Sequence, residues 1–198
     1  ERVKVTEHPA FSGILKELAR IYDLQHTPEF RDKMTYTPEG STVPISYSYL
    51  APKTVEELER KWTNSHIWME ESWGQLPRLP DFMSNVVVGL YDFRNELGKA
   101  NPLFYENVVN YYNYCSQNDI CITHAIGDPQ IDRSSSPIDD PDMALRVVEE
   151  TKEGVVIRGA KQLATLAPIS DEVLIYLSPS FAKRDKKEFV IWCGLPMD

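Results

Sequence analysis

Arg78 lies in a short segment whose residue types suit the binding of an anionic oxygen. The segment reads Arg78-Leu79-Pro80-Asp81-Phe82. Pro80 restricts Leu79 to extended geometry, so the Arg78 side chain projects from a stiff loop just before a helix begins. A guanidinium held in this way donates several hydrogen bonds to a phenolate or a carboxylate. The alternative is a surface ion pair between Arg78 and Asp81 at a helix cap, the commoner arrangement for exposed charges.

His124 is the second candidate, because it lies within an alternating apolar run, Ile120-Cys121-Ile122-Thr123-His124-Ala125-Ile126. Alternation of this kind predicts a half-buried strand, in which His124 shares a face with the three isoleucines. An imidazole with an ordinary pKa of ~6.5 that lines a pocket is suited to proton transfer near neutral pH. The alternative is a hydrogen-bonded core histidine with no chemical role.

Composition and missing motifs exclude several classes of function. The 21 basic residues against 30 acidic residues give a net charge of -9, which disfavours nucleic acid as a partner. Cys115, Cys121 and Cys193 include no CxxC pair, which disfavours a metal site and a disulfide framework and indicates the cytoplasm. We expect no membrane span, since the longest apolar stretches are short. There is no GxGxxG sequence and no P-loop, so nucleotide binding through either is disfavoured.

The elements that must position these residues change in type near residue 119. Helical spacing runs from Phe11 to Tyr22, and Thr54-Val55-Glu56-Glu57 is a capping box that opens a helix to about Trp73. We expect a further helix over 82–97 capped by Asp81, and another that begins at Asn101-Pro102 and reaches about Asn118. Three tryptophans of the second helix are expected to pack on one helix face: Trp62, Trp68 and Trp73.

After residue 119 the period is two, as in strands. We predict a hairpin over 145–158 that turns at Gly154, and further strands over 161–167, 173–178 and 188–195. Helices first and strands second, without β-α-β alternation, indicate an α+β fold. We therefore expect an N-terminal helical domain over 1–118 and a β-domain over 119–198.

Several short segments, in order and at consistent spacing, give the chain a family resemblance. They are His8-Pro9-Ala10-Phe11, Arg78-Leu79-Pro80-Asp81-Phe82, Thr123-His124-Ala125, Asp128-Pro129-Gln130-Ile131-Asp132-Arg133 and Gly159-Ala160-Lys161-Gln162-Leu163-Ala164-Thr165. Together they resemble the two-component reduced-flavin monooxygenases, in the branch of 4-hydroxyphenylacetate 3-monooxygenase oxygenase components. The resemblance extends over nearly the whole chain.

The resemblance implies an acyl-CoA-dehydrogenase-like fold. In that fold an N-terminal helical domain precedes a middle β-barrel domain and a C-terminal helical bundle that builds oligomers. The sequence begins at Glu1 rather than Met, and we interpret it as a segment of a longer protein with an incomplete barrel and without the bundle. We expect the full-length protein to be a homo-oligomer, a tetramer or a dimer.

The resemblance also implies a reaction and its partners. The cofactor would be FAD, supplied as FADH2 by a separate flavin reductase, and it would react with O2 to a flavin C4a-hydroperoxide. That species would hydroxylate a phenol ortho to its hydroxyl group, as in the conversion of 4-hydroxyphenylacetate to 3,4-dihydroxyphenylacetate. A flavin bound in this family needs no GxGxxG sequence.

Site residues follow from the same resemblance. Arg78 and His124 correspond to the pair that hydrogen-bonds the phenol and are the expected catalytic residues. Donors at the phenol oxygen stabilise phenolate character and raise electron density at the ortho carbon. The expected flavin-binding residues are Gln130, Ile131, Asp132, Arg133 and Thr165.

Phe82 departs from the family, which usually has Tyr at this position of the substrate site. A hydroxyl donor is therefore missing. The change leaves open a related hydroxylase of another phenol, such as a chlorophenol. It also leaves open a non-catalytic protein that keeps the scaffold as a flavin-binding module.

Overall fold

The chain divides into two compact units. The structure, a computed structural model, describes residues 4–76, 78–129, 134, 143–176 and 187–197. Unit 1 is Glu1–Cys121 and unit 2 is Ile122–Asp198. The boundary expected from the sequence, between residues 118 and 119, lies at the end of the last helix of unit 1.

Unit 1 is helical. Its α-helices are α1 (Ser12–Leu24), α2 (Arg31–Met34), α3 (Val55–Glu71), α4 (Pro80–Asp92), α5 (Arg94–Ala100) and α6 (Pro102–Asn118). Two short strands pair antiparallel and are followed by a single 3-10 turn: β1 (Thr35–Tyr36), β2 (Ile45–Ser46) and Tyr47–Tyr49.

The starts of α3 and α6 confirm two sequence predictions. The Thr54 hydroxyl accepts a hydrogen bond from the Glu57 backbone N–H at 3.2 Å, and the Glu57 carboxylate accepts from the Lys53 N–H at 2.6 Å. The Asn101 side chain accepts from the Leu103 N–H at 3.0 Å. Both caps satisfy backbone donors that the first helical turn leaves without a partner.

The predicted helix over 82–97 is wrong in its start and in its continuity. Helix α4 begins at Pro80, and Leu79 is the N-cap residue. Asp81 therefore lies inside the first turn instead of capping it, because proline is well suited to the first helical position. Phe93 separates α4 from α5, so the segment forms two helices.

One hydrophobic cluster of unit 1 lies between α1, α2 and α3. It contains Ile21, Leu24, Met34, Ile67 and Trp68, against which Phe30, Leu76 and Leu79 pack. The prediction that three tryptophans share a packed face is wrong. Trp68 is 0% exposed, whereas Trp62 is 65% exposed and Trp73 is 87% exposed.

A buried lysine anchors the 3-10 turn to α3. The Lys61 ammonium donates to the backbone carbonyls of Ser48 at 2.6 Å and Leu50 at 2.8 Å. Burial lowers the pKa of Lys61 to about 8, and the nearby Asp81 carboxylate opposes this effect. The Trp68 indole N–H donates to the Ser48 hydroxyl at 3.3 Å, which ties the same turn to the core.

Unit 2 is built on strands. Parallel pairing joins β3 (Ile122–Ala125) to β6 (Glu172–Ile175), and antiparallel pairing joins β6 to β7 (Cys193–Pro196). A separate hairpin consists of β4 (Arg146–Glu150) and β5 (Val155–Arg158). It confirms the predicted turn, because Gly154 has a φ of +150° and its carbonyl accepts from the Thr151 N–H at 2.7 Å.

One predicted strand of unit 2, over 161–167, is wrong, and the strand predicted over 188–195 begins later than expected. Residues 161–167 form a loop, in which Leu163 and Leu166 have positive φ values of 66° and 71° that no strand permits. An isolated bridge joins Gln162 to Gly127. The segment 188–195 begins within a 3-10 turn, Lys187–Phe189, and becomes a strand only at Cys193.

One hydrophobic cluster of unit 2 consists of Ala125, Leu145, Val173, Ile175 and Ile191. The described strands of unit 2 form one three-stranded sheet and one hairpin, and these described parts do not close into a barrel. Helices in unit 1 and strands in unit 2 agree with the predicted α+β class. Among the described residues, no helix is both long enough and apolar enough to cross a membrane.

Candidate functional site

Arg78 is held by the ring of Phe82 at the start of α4. The guanidinium carbon lies 5.0 Å from the ring centroid, a cation–π contact. Leu79 between them is extended, with φ -67° and ψ 155°, as the following proline requires. The face of the Phe82 ring makes this contact, so the contact with the Arg78 guanidinium needs no hydroxyl.

A groove of about 450 Å³ adjoins this pair within unit 1. Burial raises the pKa of the Asp81 carboxyl in the groove wall, while a hydrogen bond from Ser65 and the Lys61 charge oppose that rise. The groove wall is apolar apart from the Asn85 amide and the Asp81 carboxyl group. Its lining residues are Leu76, Leu79, Asp81, Phe82, Asn85 and Val86.

His124 lies in the middle of β3, on the face opposite to the hydrophobic cluster of unit 2. Its register partner on β6 is Leu174, whereas the neighbouring residue Ala125 is part of the cluster. The imidazole is half-buried, and its Nδ1 lies 2.7 Å from the Tyr176 hydroxyl. The side chain is therefore oriented by a polar partner and is not packed in the apolar cluster.

Thr165 lies in the loop that replaces a predicted strand. The Thr123 hydroxyl donates to the Thr165 backbone carbonyl, so that β3 anchors this loop beside His124. The Thr165 side chain is exposed, and its predicted contact with flavin remains a prediction.

A buried ion pair, which the sequence pattern does not predict, holds the same loop. Lys161 Nζ lies 2.6 Å from Asp128 Oδ1, with side chains 9% and 8% exposed, and also donates to the Ile126 carbonyl at 3.3 Å. The Gln162 side chain donates to the Asp128 carbonyl at 3.1 Å. Both partners lie in segments that carry the resemblance, but charge pattern alone gives no sign that residues 33 positions apart are paired.

Asp128 also carries a second buried oxygen: within the described part of the chain, its Oδ2 accepts no hydrogen bond. Such an atom usually marks a position where water or a ligand donates. Asp128 lies just ahead of Gln130, Ile131, Asp132 and Arg133, which fall outside the described residues.

The structure thus places the described members of the predicted site in two sets, one within each unit. Arg78 and Phe82 are in contact in unit 1, and His124 and Thr165 are joined through β3 in unit 2. That the two sets form one site remains a prediction. Among the described residues, no group of three or more His, Cys, Asp or Glu side chains is arranged to hold a metal ion.

Comparison with known proteins gives matches over the full chain. Residues 1–198 match a family model described as 4-hydroxyphenylacetate 3-hydroxylase N terminal. A Thermus thermophilus protein named 4-hydroxyphenylacetate 3-monooxygenase oxygenase component is 39% identical over 193 residues, which cover 96% of this chain and 38% of that protein. A Rhodococcus protein named 4-nitrophenol 2-monooxygenase, oxygenase component, is 29% identical, and the match covers 100% of this chain and 37% of that protein.

A solved structure has the same fold. The crystal structure of the oxygenase component (HpaB) of 4-hydroxyphenylacetate 3-monooxygenase, complexed with FAD and 4-hydroxyphenylacetate, matches with a TM-score of 0.87 at 36% identity. The match covers 98% of this chain and 39% of that one, so the chain spans about two fifths of the proteins it resembles. The expected acyl-CoA-dehydrogenase-like fold of helices and sheets is therefore confirmed.

Proposed function

The chain belongs to the family of 4-hydroxyphenylacetate 3-hydroxylase N-terminal regions, and from this premise we propose that its protein is the oxygenase component of a two-component monooxygenase. The proposed reaction is FADH2-dependent hydroxylation of a phenol ortho to its hydroxyl group. The proposed substrate is 4-hydroxyphenylacetate, and the product is 3,4-dihydroxyphenylacetate. The observation that carries the proposal is the match in fold, over 98% of this chain, to an oxygenase crystallised with FAD and 4-hydroxyphenylacetate.

Residues of unit 2 fit a flavin. A ligand with N–H and O–H donors would satisfy the buried Asp128 Oδ2, which has no partner in the described residues. The Asp128–Lys161 ion pair fixes this oxygen in place, and the Thr123–Thr165 hydrogen bond fixes the neighbouring loop. Bound reduced flavin would supply the electrons that activate O2. We propose that Gln130, Ile131, Asp132, Arg133 and Thr165 hold it.

Arg78 and His124 are the proposed catalytic residues. Cation and imidazole donors at the phenol oxygen stabilise its developing negative charge, which makes the ortho carbon a better nucleophile. Both side chains have fixed orientations, Arg78 through Phe82 and His124 through Tyr176. Donors oriented before the reaction need no reorganisation during it, which is the source of their catalytic effect.

Phe82 favours a second candidate, the hydroxylation of another phenol. Its ring contacts Arg78 but has no hydroxyl to donate to a bound phenol. A phenol of lower pKa, such as a chlorophenol or a nitrophenol, needs fewer donors because it is more readily ionised. The Rhodococcus relative is named for 4-nitrophenol, so the family includes a protein named for such a substrate.

The remaining architecture and partners are proposals on the same premise. We propose that the sheets of unit 2 belong to a β-barrel, that a C-terminal helical bundle builds a tetramer or a dimer, and that a separate reductase supplies FADH2. The proposed compartment is the cytoplasm, since three cysteines without a paired pattern suit a reducing environment.

The test uses the full-length protein, premixed with FADH2 without oxygen and then mixed with oxygenated buffer. We would measure flavin oxidation, H2O2 and hydroxylated product, with 4-hydroxyphenylacetate, 4-nitrophenol or 4-chlorophenol present. Formation of 3,4-dihydroxyphenylacetate supports the first candidate. Product from the other phenols alone supports the second. Stoichiometric H2O2 without product from any phenol contradicts both and favours a flavin-binding scaffold.

A further inference from the structure

Three aromatic rings lie in a row on one face of the three-stranded sheet in unit 2. The rings of Trp192 and Tyr176 have centroids 5.1 Å apart at 31°, and those of Tyr176 and His124 are 5.6 Å apart at 66°. Tyr176 is two residues beyond Leu174, the register partner of His124, so both side chains are on the same face. Trp192 directly precedes β7. Tyr176 is therefore held between two rings.

This packing directs the Tyr176 hydroxyl at one nitrogen of His124. Oη lies 2.7 Å from Nδ1, a short hydrogen bond between two half-buried side chains. A neutral imidazole has one N–H, and the hydrogen bond at one ring nitrogen decides which nitrogen carries the proton. A tyrosine hydroxyl is protonated at neutral pH, so it is able to donate to Nδ1.

We propose that Tyr176 is a positioning residue that donates its hydroxyl proton to His124 Nδ1 in a hydrogen bond and thereby fixes the tautomer with hydrogen on Nε2. The imidazole then presents Nε2–H as a hydrogen-bond donor. The use of that donor at a phenol oxygen rests on the proposed function, whereas the tautomer does not. The opposite tautomer would present a lone pair at Nε2, which repels an oxygen that is gaining negative charge.

Phe82 makes the orientation of His124 more important in this chain. A tyrosine at that position would add a donor to the phenol oxygen, and phenylalanine does not. The proposed donors are then the Arg78 guanidinium and the His124 N–H. Loss of the correct tautomer would remove one of the two.

The first measurement is independent of catalysis. Full-length protein labelled with 15N-histidine would be studied by NMR at neutral pH, with the His124 resonances assigned by comparison with His124→Gln. We expect a protonated Nε2 and an unprotonated, hydrogen-bonded Nδ1 in the wild type. In Tyr176→Phe we expect both tautomers to be populated. Tyr47→Phe is the matched control, because it removes a hydroxyl that accepts from Arg60 in unit 1.

Two results would overturn the inference. A protonated Nδ1 in the wild type would show that Tyr176 accepts instead of donating, and this result needs no variant to fold. An unchanged tautomer in Tyr176→Phe would show that another group fixes the ring. The NMR result decides the inference even if the full-length protein hydroxylates no phenol, which would contradict only the proposed function.

Activity gives a second readout. In an active enzyme we expect Tyr176→Phe to lower kcat about fivefold to tenfold, with little change in the KM of the phenol, since the lost interaction acts mainly in the transition state. Tyr47→Phe should keep the wild-type kcat. A raised KM with unchanged kcat would contradict the positioning role and indicate a binding role.

Discussion

At the scale of single residues, Phe82 contacts Arg78 through its ring, in a position where the family resemblance led us to expect a tyrosine. The guanidinium carbon of Arg78 lies 5.0 Å from the Phe82 ring centroid. The face of the ring makes this contact, so the absence of a hydroxyl does not affect it. Lysine is not equivalent at such a position, because its ammonium is compact and cannot stack as a planar group. Substitutions at Arg78 can therefore distinguish the effect of its positive charge from the effect of its stacked geometry.

We predict that Arg78→Met lowers product formation by the full-length enzyme about 100-fold, because a fixed donor at the developing negative charge is lost. Arg78→Lys should lower it about tenfold, since the charge remains without the stacked geometry. Product and H2O2 per flavin oxidised are the quantities to measure, and H2O2 should rise as product falls.

Arg94 provides the matched control for this prediction. Its guanidinium lies 4.0 Å from the Tyr91 ring centroid and donates to the Tyr91 carbonyl at 2.6 Å, so it is also a stacked arginine of unit 1. Arg94→Lys should leave the ratio of product to H2O2 unchanged. Equal effects at Arg78 and Arg94 would show that Arg78 acts through stability and would remove it from the proposed site.

The Asp128–Lys161 pair leads to a prediction of stability. Lys161→Met leaves the buried Asp128 carboxylate without its counter-charge, and we expect the free energy of unfolding to fall by about 3–5 kcal/mol. The double variant Lys161→Met with Asp128→Leu should recover much of this loss, because apolar side chains remove the buried charge altogether. Urea denaturation followed by circular dichroism is the measurement.

Lys99 provides the exposed counterpart. Its ammonium lies 2.6 Å from Glu96, the same separation as in the buried pair, but the side chains are 71% and 51% exposed. Lys99→Met should change the free energy of unfolding by less than about 0.5 kcal/mol. If the two lysine variants were equally stable, the buried pair would not stabilise the loop.

At the scale of elements, local chemistry in the sequence predicted the starts of α3 and α6, but it did not predict the loop over 161–167. The caps at Thr54 and Asn101 depend on residues within three positions, so their prediction needed no tertiary information. The segment 161–167 was predicted as a strand but is a loop, because its bonds go to residues more than thirty positions away, such as Gly127. Long-range contacts of this kind override local preference.

The candidate site shows the same distinction. The extended backbone of Leu79, next to Arg78, follows from Pro80 and was predictable, and the strand that carries His124 follows from its alternation. The Tyr176 partner of His124 was not predictable, since it depends on the parallel register of two strands about fifty residues apart. Phe82 as a support for Arg78 depends on one rotamer, which no sequence pattern specifies.

The backbone conformation of the loop that follows β5 requires a glycine at position 159. Gly159 has a φ of +121°, and a Cβ there would lie 2.3 Å from the Ala144 backbone oxygen. We predict that Gly159→Ala destabilises unit 2 by about 2–4 kcal/mol, because both the backbone conformation and the contact are unfavourable. Hydrogen exchange should show loss of protection at the Ala160 amide, which donates to the Met143 carbonyl at 3.3 Å.

Gly89 is the matched control, with an expected change of opposite sign. It lies inside α4, and nothing outside its own helical turns packs within 4 Å of the position that an added Cβ would take. Gly89→Ala should therefore stabilise the protein by about 0.5–1 kcal/mol, since alanine is the better helix former. Wild-type protection at Ala160 in Gly159→Ala would contradict the proposed clash.

At the scale of the whole molecule, the free energy of unfolding at alkaline pH depends on the ionisable side chains that unit 1 buries. Burial lowers the pKa of Lys61 to about 8, against an ordinary value near 10.5. Burial also raises the pKa values of four tyrosines above their ordinary value near 10. They are Tyr22, Tyr36, Tyr49 and Tyr112. The lysine and the tyrosines therefore change stability in opposite directions as pH rises.

Between about pH 8 and 10 the unfolded chain holds a proton on Lys61 that the folded chain has lost, so the free energy of unfolding rises with pH. Above about pH 10 the unfolded tyrosines ionise first, and the stability that they contribute is lost. We predict a rise on the order of 2 kcal/mol between about pH 7.5 and 10, followed by a fall. Lys61→Met should abolish the rise and retain the fall, as measured by urea denaturation at each pH. A wild-type curve without the rise would mean that the hydrogen bonds to the Ser48 and Leu50 carbonyls keep Lys61 charged, and that its burial costs little.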